Sequence, residues 1–484
     1  MALSMRQKSD LRLYQQRITT HLYEHDEALC VVRPGGGKTA SALTAIAELQ
    51  ESGEIRHALV VAPKRVATEV WPAEIGAWEH LFSMHELRLA GTPHHRTEFL
   101  RRLRIGEGPY TISVIGLDLI AWLLEQIADW PEDHPVFDLL VLDEISKLRD
   151  PTGVRAKLLA KHAHRWKMIW GLSGTLRPNS ALDLFMPARI VTRGKLWGKS
   201  YYQWRKERFY QTDYMGYSWT ALPGAEGRIN AEIEPYCVTL HADELPQLPE
   251  LSVVLDTIHL PDAVKDLYHQ MHRKLFAQIR KGKDEIETVI AANAAVATGK
   301  LAQIANGFMY PNEEETAAGR RVTPLHDEKR DWLADLVREH AGRPTLLVYE
   351  YLEDLNIMCE VAGRELPYLG AGVGDKVSAA HIRRWNAGEY PLMALHPRAA
   401  GHGLNLQAGG ADMAWMAPTW SPELWEQTIA RLHRSGQTQP VIVRVCVAAG
   451  TVDQLKLNRV HFKMTEQQAF ERYLAGYEEV GLDG

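Results

Sequence analysis

Cysteine is scarce in this chain. Cys30, Cys237, Cys359 and Cys446 are the whole supply, widely scattered and without the close C-x-x-C spacing of a zinc site or a dithiol redox motif. A disulfide framework is therefore excluded, and a reduced, cytosolic (cytoplasmic) protein is expected. Long apolar runs are missing too: nowhere do about 18 apolar residues follow one another. The first residues, MALSMRQKSDLRLYQQ, carry charge early and lack the apolar core of a signal peptide. Neither export nor membrane insertion is expected. Nor is there an excess of positive charge. Lys and Arg number 55 against 61 Asp and Glu, a net charge of −6, so a polyanionic partner has to be held by a local patch. Repeats at solenoid periods and low-complexity tracts are absent as well. What remains is an ordinary globular composition, 45% hydrophobic and 24% charged, over 484 residues. That length suits several domains with cores of their own and is too great for one small binding module.

Short apolar, β-branched runs recur at wide intervals: HALVVAP ending at Pro63, YTISVIG at Gly116, FDLLVLDE at Glu144 and KMIWGLSGT at Thr175. Each reads as a buried parallel strand. Helical patterning lies between them, as in Ala40 to Leu49 and Ala73 to Leu81, so the first part reads as βα units of an open, doubly wound sheet. The theme returns in PTLLVYEY, PLMALHP, DMAWMAP and PVIVRVCV. The fold class is α/β, two tandem parallel-sheet lobes with helical insertions. A first lobe is expected over 1–240, a linker and helical insertion over 241–330, and a second lobe over 331–484. The helical stretch AVKDLYHQMHRKLFAQIRKGK falls in the insertion, and the boundary is placed at ELPQLPE, Glu244 to Glu250, where two prolines three residues apart enforce extended backbone.

The segment CVVRPGGGKTASAL sets Gly35, Gly36, Gly37, Lys38 and Thr39 between an apolar run and a helix former, the context a phosphate loop needs. Glycines let backbone N–H groups turn toward a polyphosphate, Lys38 adds a point charge, and the Thr39 hydroxyl can ligate Mg²⁺. Val32 stands where the full G-x-x-x-x-G-K-[ST] pattern has glycine, leaving the shorter form. Asp143 and Glu144 end a buried strand, where ligands of open parallel sheets bind. Asp143 would hold Mg²⁺ through water and Glu144 would polarise the attacking water. Near the end, EQTIARLHRSGQTQP carries Gln427, Arg431, Arg434 and Gln437. On one continuous helix Gln427, Arg431 and Arg434 share a face suited to a phosphate, and an arginine from a second domain can stabilise charge on a transferring phosphoryl group.

Taken in order, these stretches resemble the superfamily 2 helicases, and among them the Swi/Snf-like branch of ATP-dependent DNA translocases. LRLYQ is similar to the adenine-reading motif, GGGKT to motif I, VVAPKRVATEVWPAEIGAW to motif Ia, DEIS to motif II and LSGTLRPN to motif III. HPRAAGHGLNL is similar to motif V and QTIARLHRSGQ to motif VI; ELPQLPE and LAQIANG resemble pieces peculiar to this branch. The resemblance implies two RecA-like lobes with ATP and Mg²⁺ in the cleft between them. It implies nucleotide contacts from Gln15, Gly35, Gly36, Gly37, Lys38, Thr39, Gly403 and Gln427, metal ligation by Thr39 and Asp143, and catalysis by Lys38, Asp143, Glu144, Arg431 and Arg434, with Arg434 the arginine finger. It further implies a nucleic-acid groove lined by Lys64, Ser173, Thr175 and Arg398 that binds largely through phosphates, without sequence preference.

Two departures stand out. Ser146 replaces the histidine of DEAH-type members, which rewires the contact between motifs II and III, and Ala430 replaces a glycine in motif VI. Trp415, Trp420 and Trp425 read as core in preference to base-stacking platforms. Arg205, Lys206 and Arg208, and Arg280, Lys281 and Lys283, read as solvated faces ahead of phosphate rails. The expected protein is a monomeric helicase or translocase on double-stranded DNA, with single-stranded DNA or RNA unwinding and a nucleotide-gated DNA clamp as the other readings. Its compact size points to a bacterial or phage source.

Overall fold

The computed structural model describes residues 5–33, 35–131, 136–177, 180–212, 219–240, 244, 247–281, 298–311, 322–400 and 404–462. The chain divides into two compact units, Met1–Gln247 and Leu248–Gly484. Among the described residues, no helix is long and apolar enough to cross a membrane.

The first unit is built on seven strands: β1 (Glu27–Val31), β2 (Ala58–Ala62), β3 (Glu86–Arg88), β4 (Ile112–Gly116), β5 (Leu139–Asp143), β6 (Met168–Ser173) and β7 (Cys237–Thr239). They lie in the order β3-β4-β2-β5-β6-β1-β7, every pairing parallel. Period-two alternation splits each strand's side chains between two cores. Leu29, Leu59, Leu140 and Ile169 pack with one set of helices, and Ala28, Val60, Val141 and Trp170 with the other. Because both faces are covered, the central strands read as unbroken apolar runs. The helix α1 (Leu13–Glu24) packs against α2 (Lys38–Glu51), which leaves the end of β1 through the glycine loop.

After β2 the chain departs from the continuous helix expected over Ala73 to Leu81. Helical backbone begins at Lys64, opens into one π-helical turn over Val66–Val70, resumes as the short helix α3 (Trp71–Ile75) and stops at Gly76. Pro72 explains the interruption. It has no N–H and its ring crowds the carbonyl of Thr68, and a widened turn relieves both problems.

Among the described residues the main sheet of the second unit has six strands: β8 (Leu251–Ile258), β9 (Thr345–Val348), β10 (Tyr368–Leu369), β11 (Leu392–Leu395), β12 (Asp412–Trp415) and β13 (Val441–Ala448). Their order is β8-β13-β12-β9-β11-β10, again all parallel. Leu346, Met393, Met413 and Val443 face one core, and Leu347, Ala394 and Ala414 the other. The stretch expected as linker and insertion therefore differs from a plain connection. Its segment Leu251–Ile258 pairs along its whole length with β13, from Leu251 opposite Val441 to Ile258 opposite Ala448, as an edge strand. The expected helix in this region is present over Asp262–Lys281.

Candidate functional site

In the first unit the geometry starts from neighbouring strands. β1, β6 and β5 are adjacent and parallel, with Val31 opposite Ser173 and Asp143 opposite Leu172, so the glycine loop, motif II and motif III leave the same edge of the sheet. The Val32 N–H donates to the Ser173 carbonyl at 2.9 Å. Gly35 and Gly37 take left-handed φ values of 84° and 78°, which L side chains rarely adopt. A methyl group on Gly37 would also collide with the Gln15 side-chain amide, so that amide rests on the loop. Gln15 is held there by its Oε1, which accepts the Arg12 N–H at 3.0 Å. Lys38 opens α2 and donates its ammonium to the Val32 carbonyl at 2.6 Å, closing the loop on itself. Thr39 follows it, half-buried.

Asp143 Oδ2 accepts the indole N–H of Trp71 at 2.9 Å. Burial raises its pKa, opposed by that hydrogen bond and by the charge of Lys38. Glu144 has φ 60° and ψ 49°, left-handed backbone for a residue with a full side chain, and it caps the short turn Ile145–Leu148. Strain of this kind concentrates where a side chain has to be aimed. Gly171 in β6 leaves room for the motif II turn: a Cβ there would lie 2.6 Å from Ile145 and 2.8 Å from Leu29. Ser146 is buried within that turn. Ser173 Oγ donates to the Thr175 carbonyl at 2.7 Å, and Lys64 is exposed at the start of the segment leading to Trp71.

In the second unit the motif VI helix is shorter than the sequence reading required. It spans Pro422–Ile429 and ends in tight turns, with the Arg431 N–H donating to the Thr428 carbonyl at 3.0 Å. Gln427, Arg431 and Arg434 thus do not share one continuous helical face. They still converge. Arg431 Nε donates to the Gln427 carbonyl at 2.9 Å, and both arginines donate to the Leu404 carbonyl of motif V, at 3.3 Å from Arg431 and 3.0 Å from Arg434. Gln437 latches the two motifs together: its Nε2 donates to the carbonyls of Gln407 (3.2 Å), Gly410 (3.0 Å) and Leu432 (3.4 Å). Gly403 lies outside the described residues, as does Lys283. Nothing is described of the Arg280 and Lys281 side chains.

Arg398 is exposed, and its N–H donates to His396 Nδ1 at 3.2 Å while His396 Nε2 donates to the Glu350 carbonyl at 3.2 Å. Behind this turn lies a buried polar network. Asp354 accepts the N–H groups of Glu350 (3.1 Å) and Tyr351 (2.9 Å) and the side-chain amide of Asn306 (2.9 Å). Asn306, from the LAQIANG segment, accepts Lys329 Nζ at 2.9 Å, and Lys329 also pairs with Asp453 at 2.6 Å, both side chains fully buried. Burial pushes the Asp354 carboxyl up to about 6.

No model of a known protein family matches the chain. Among curated proteins it is 30% identical to the putative protein p41 of Acyrthosiphon pisum secondary endosymbiont phage 1, over 94% of this chain and 96% of the phage protein. It is 23% identical to a probable ATP-dependent DNA helicase of Arabidopsis thaliana, CHR23, over 95% of this chain. It is also 23% identical to a SWI/SNF-related regulator of chromatin, subfamily A-like protein 1, of Xenopus tropicalis, over 87% of this chain. The chain belongs to the Swi/Snf-like ATPases of superfamily 2. This Swi/Snf-like chain spans 43% of the plant protein and 40% of the frog protein.

Sequence reasoning missed Trp71, whose signal was a Trp-Pro pair just ahead of the helix expected over Ala73 to Leu81, and the Leu404 carbonyl, for which no side-chain signal exists. Trp415 is core, as expected, with its ring 4.7 Å from that of Trp425. Arg205 and Arg208 are not simply solvated. Arg205 stacks on Trp219 at 4.0 Å, and Arg208 pairs with Glu207 and Glu232.

Proposed function

We propose that this chain is a nucleic-acid-dependent ATPase that couples Mg-ATP hydrolysis to movement along duplex DNA. The observation that carries the reading is the convergence of Gln15, Lys38 and Asp143 around one glycine loop at one sheet edge, with Glu144 aimed by strained backbone beside them. The residues fit the implied ligands. Thr39 and Asp143 offer the hard oxygen donors that Mg²⁺ prefers, and the loop offers N–H groups and a lysine to phosphates. Mg²⁺, when bound, supplies positive charge to the phosphate oxygens. Lys38 would leave the Val32 carbonyl for the terminal phosphates, Glu144 would orient and deprotonate the attacking water, and Gln15 would read the adenine edge. Arg431 and Arg434 would steady charge on the transferring group, and Gly403 and Gln427 would add nucleotide contacts. Lys64, Thr175 and Arg398 would grip nucleic-acid phosphates, with the buried Ser173 holding the Thr175 backbone in place instead of touching phosphate itself, so binding should weaken steeply with salt.

The test is steady-state ATP hydrolysis with duplex DNA, single-stranded DNA and RNA. Duplex DNA should stimulate most, and Lys38→Ala and Glu144→Gln should each abolish the stimulated rate. Wild-type rates in either variant refute the assigned roles. One turnover per chain without a steady state would instead make the protein a nucleotide-gated clamp.

A further inference from the structure

We infer that Trp71 is a positioning residue: its indole N–H fixes the orientation of the Asp143 carboxylate and ties it to the segment that begins at Lys64. This rests on the nucleotide reading above. Trp71 is fully buried and its Nε1 sits 2.9 Å from Asp143 Oδ2. The indole thus holds Oδ2, and the Glu144 backbone N–H also bonds to the carboxylate, so Trp71 is its side-chain tether to the Lys64 segment. The backbone explains why the indole points there. The Trp71 N–H donates to the Val66 carbonyl, five residues back, and that π-type bond closes the widened turn. One residue more per turn rotates everything downstream by about 100° relative to a regular helix, so an unbroken α-helix would aim a different side chain at Asp143. The turn packs on β2 and β4, and α3 packs on the phosphate-loop helix α2. Lys64 and Trp71 therefore share one stiff segment. A pull on a phosphate at Lys64 is transmitted to the carboxylate through a single hydrogen bond.

The test is calorimetric titration of the full chain with ADP, with and without Mg²⁺, and with and without a short blunt DNA duplex. Trp71→Phe keeps the ring and removes the donor. A hydrogen bond to a charged group is worth at least about tenfold in affinity. Trp71→Phe should thus bind ADP without metal as the wild type does, lose about tenfold in the Mg²⁺-dependent part, and lose the change that duplex DNA makes to MgADP affinity. Trp170→Phe is the control for packing alone. Trp170 is an equally buried indole of the same core, and its N–H donates at 3.0 Å to the His25 carbonyl, away from Asp143. It should leave the Mg²⁺ dependence unchanged.

If Trp71→Phe does not fold, indole ¹⁵N resonances of the wild type replace it. One resonance should shift when Mg²⁺ is added with ADP, and that shift should vanish in Asp143→Ala. Equal MgADP binding by wild type and Trp71→Phe, an equal loss in Trp170→Phe, or indole signals unmoved by Mg²⁺ overturns the inference alone. A wild-type chain that binds no MgADP overturns the nucleotide reading and the inference together.

Discussion

Glu144 offers a substitution whose sign can be worked out in advance. At φ 60° and ψ 49° its Cβ crowds its own carbonyl, which costs an L-residue about 1–2 kcal/mol. Glycine escapes that cost and gives up about 0.5–1 kcal/mol in backbone entropy. Glu144→Gly should therefore be more stable than Glu144→Ala by about 0.5–1 kcal/mol, the reverse of the order at an ordinary helical position, where alanine wins by about 1 kcal/mol. The hydrogen bond that the Lys147 N–H donates to the Glu144 carbonyl, at 3.0 Å, survives in both variants and cancels from the comparison. For a unit of this size the gain is roughly 1–4 °C in melting temperature. Differential scanning calorimetry of the two variants reads it directly, and neither should hydrolyse ATP. Glu144→Ala melting at or above Glu144→Gly would refute the assignment of strain to this residue.

Three further outcomes follow from the geometry. Lys329→Met should cost about 3–5 kcal/mol by stranding buried Asp453, and Lys329→Met with Asp453→Leu should recover most of it, measured by urea unfolding. Burial lowers the His57 pKa from 6.5 to about 4, with the ring bonded at 2.8 Å to Ser113 Oγ. The unfolded chain then takes up a proton below pH 6.5 that the native chain refuses until about pH 4. Stability should fall across that window by roughly 3 kcal/mol, and His57→Gln should flatten the dependence in melting scans at stepped pH. Gly171→Ala should cost about 1–3 kcal/mol through collision with Ile145 and Leu29 and slow ATP hydrolysis by shifting the motif II turn, whereas Gly53→Ala, with open space around its Cβ direction, should leave turnover unchanged.

The strands were legible because β2, β4, β5 and β6, buried on both faces, are short continuous apolar runs; the carboxyl end of β5 located the pair Asp143 and Glu144, and the glycine-Lys-Thr pattern located the loop at Gly35 to Thr39. Leu251–Ile258 was not legible. As an edge strand it leaves Leu251, Val253 and Leu255 about two-fifths exposed, and it follows a proline-containing stretch that reads as linker. The helix expected over Ala73 to Leu81 stops at Gly76, and the widened turn that Pro72 opens lies ahead of it, where period alone shows nothing. Motif VI misled for a related reason: its arginines meet at a backbone carbonyl, and no side-chain pattern encodes that.

The pairing of β8 with β13 fixes when the second unit can form. Asp256 and Arg444 join strands 188 residues apart, and Lys329 meets Asp453 across 124. The first strand of this unit has no sheet neighbour until its last strand has left the ribosome, so the unit closes late and all at once, as expected where contacts are so distant along the chain. Met1–Gln247 contains every partner of its own sheet and can be complete while the rest is still being made. Until then Val253, Val254 and Leu255 stay an unpaired apolar strand, the point at which a nascent chain is most open to aggregation and to chaperones.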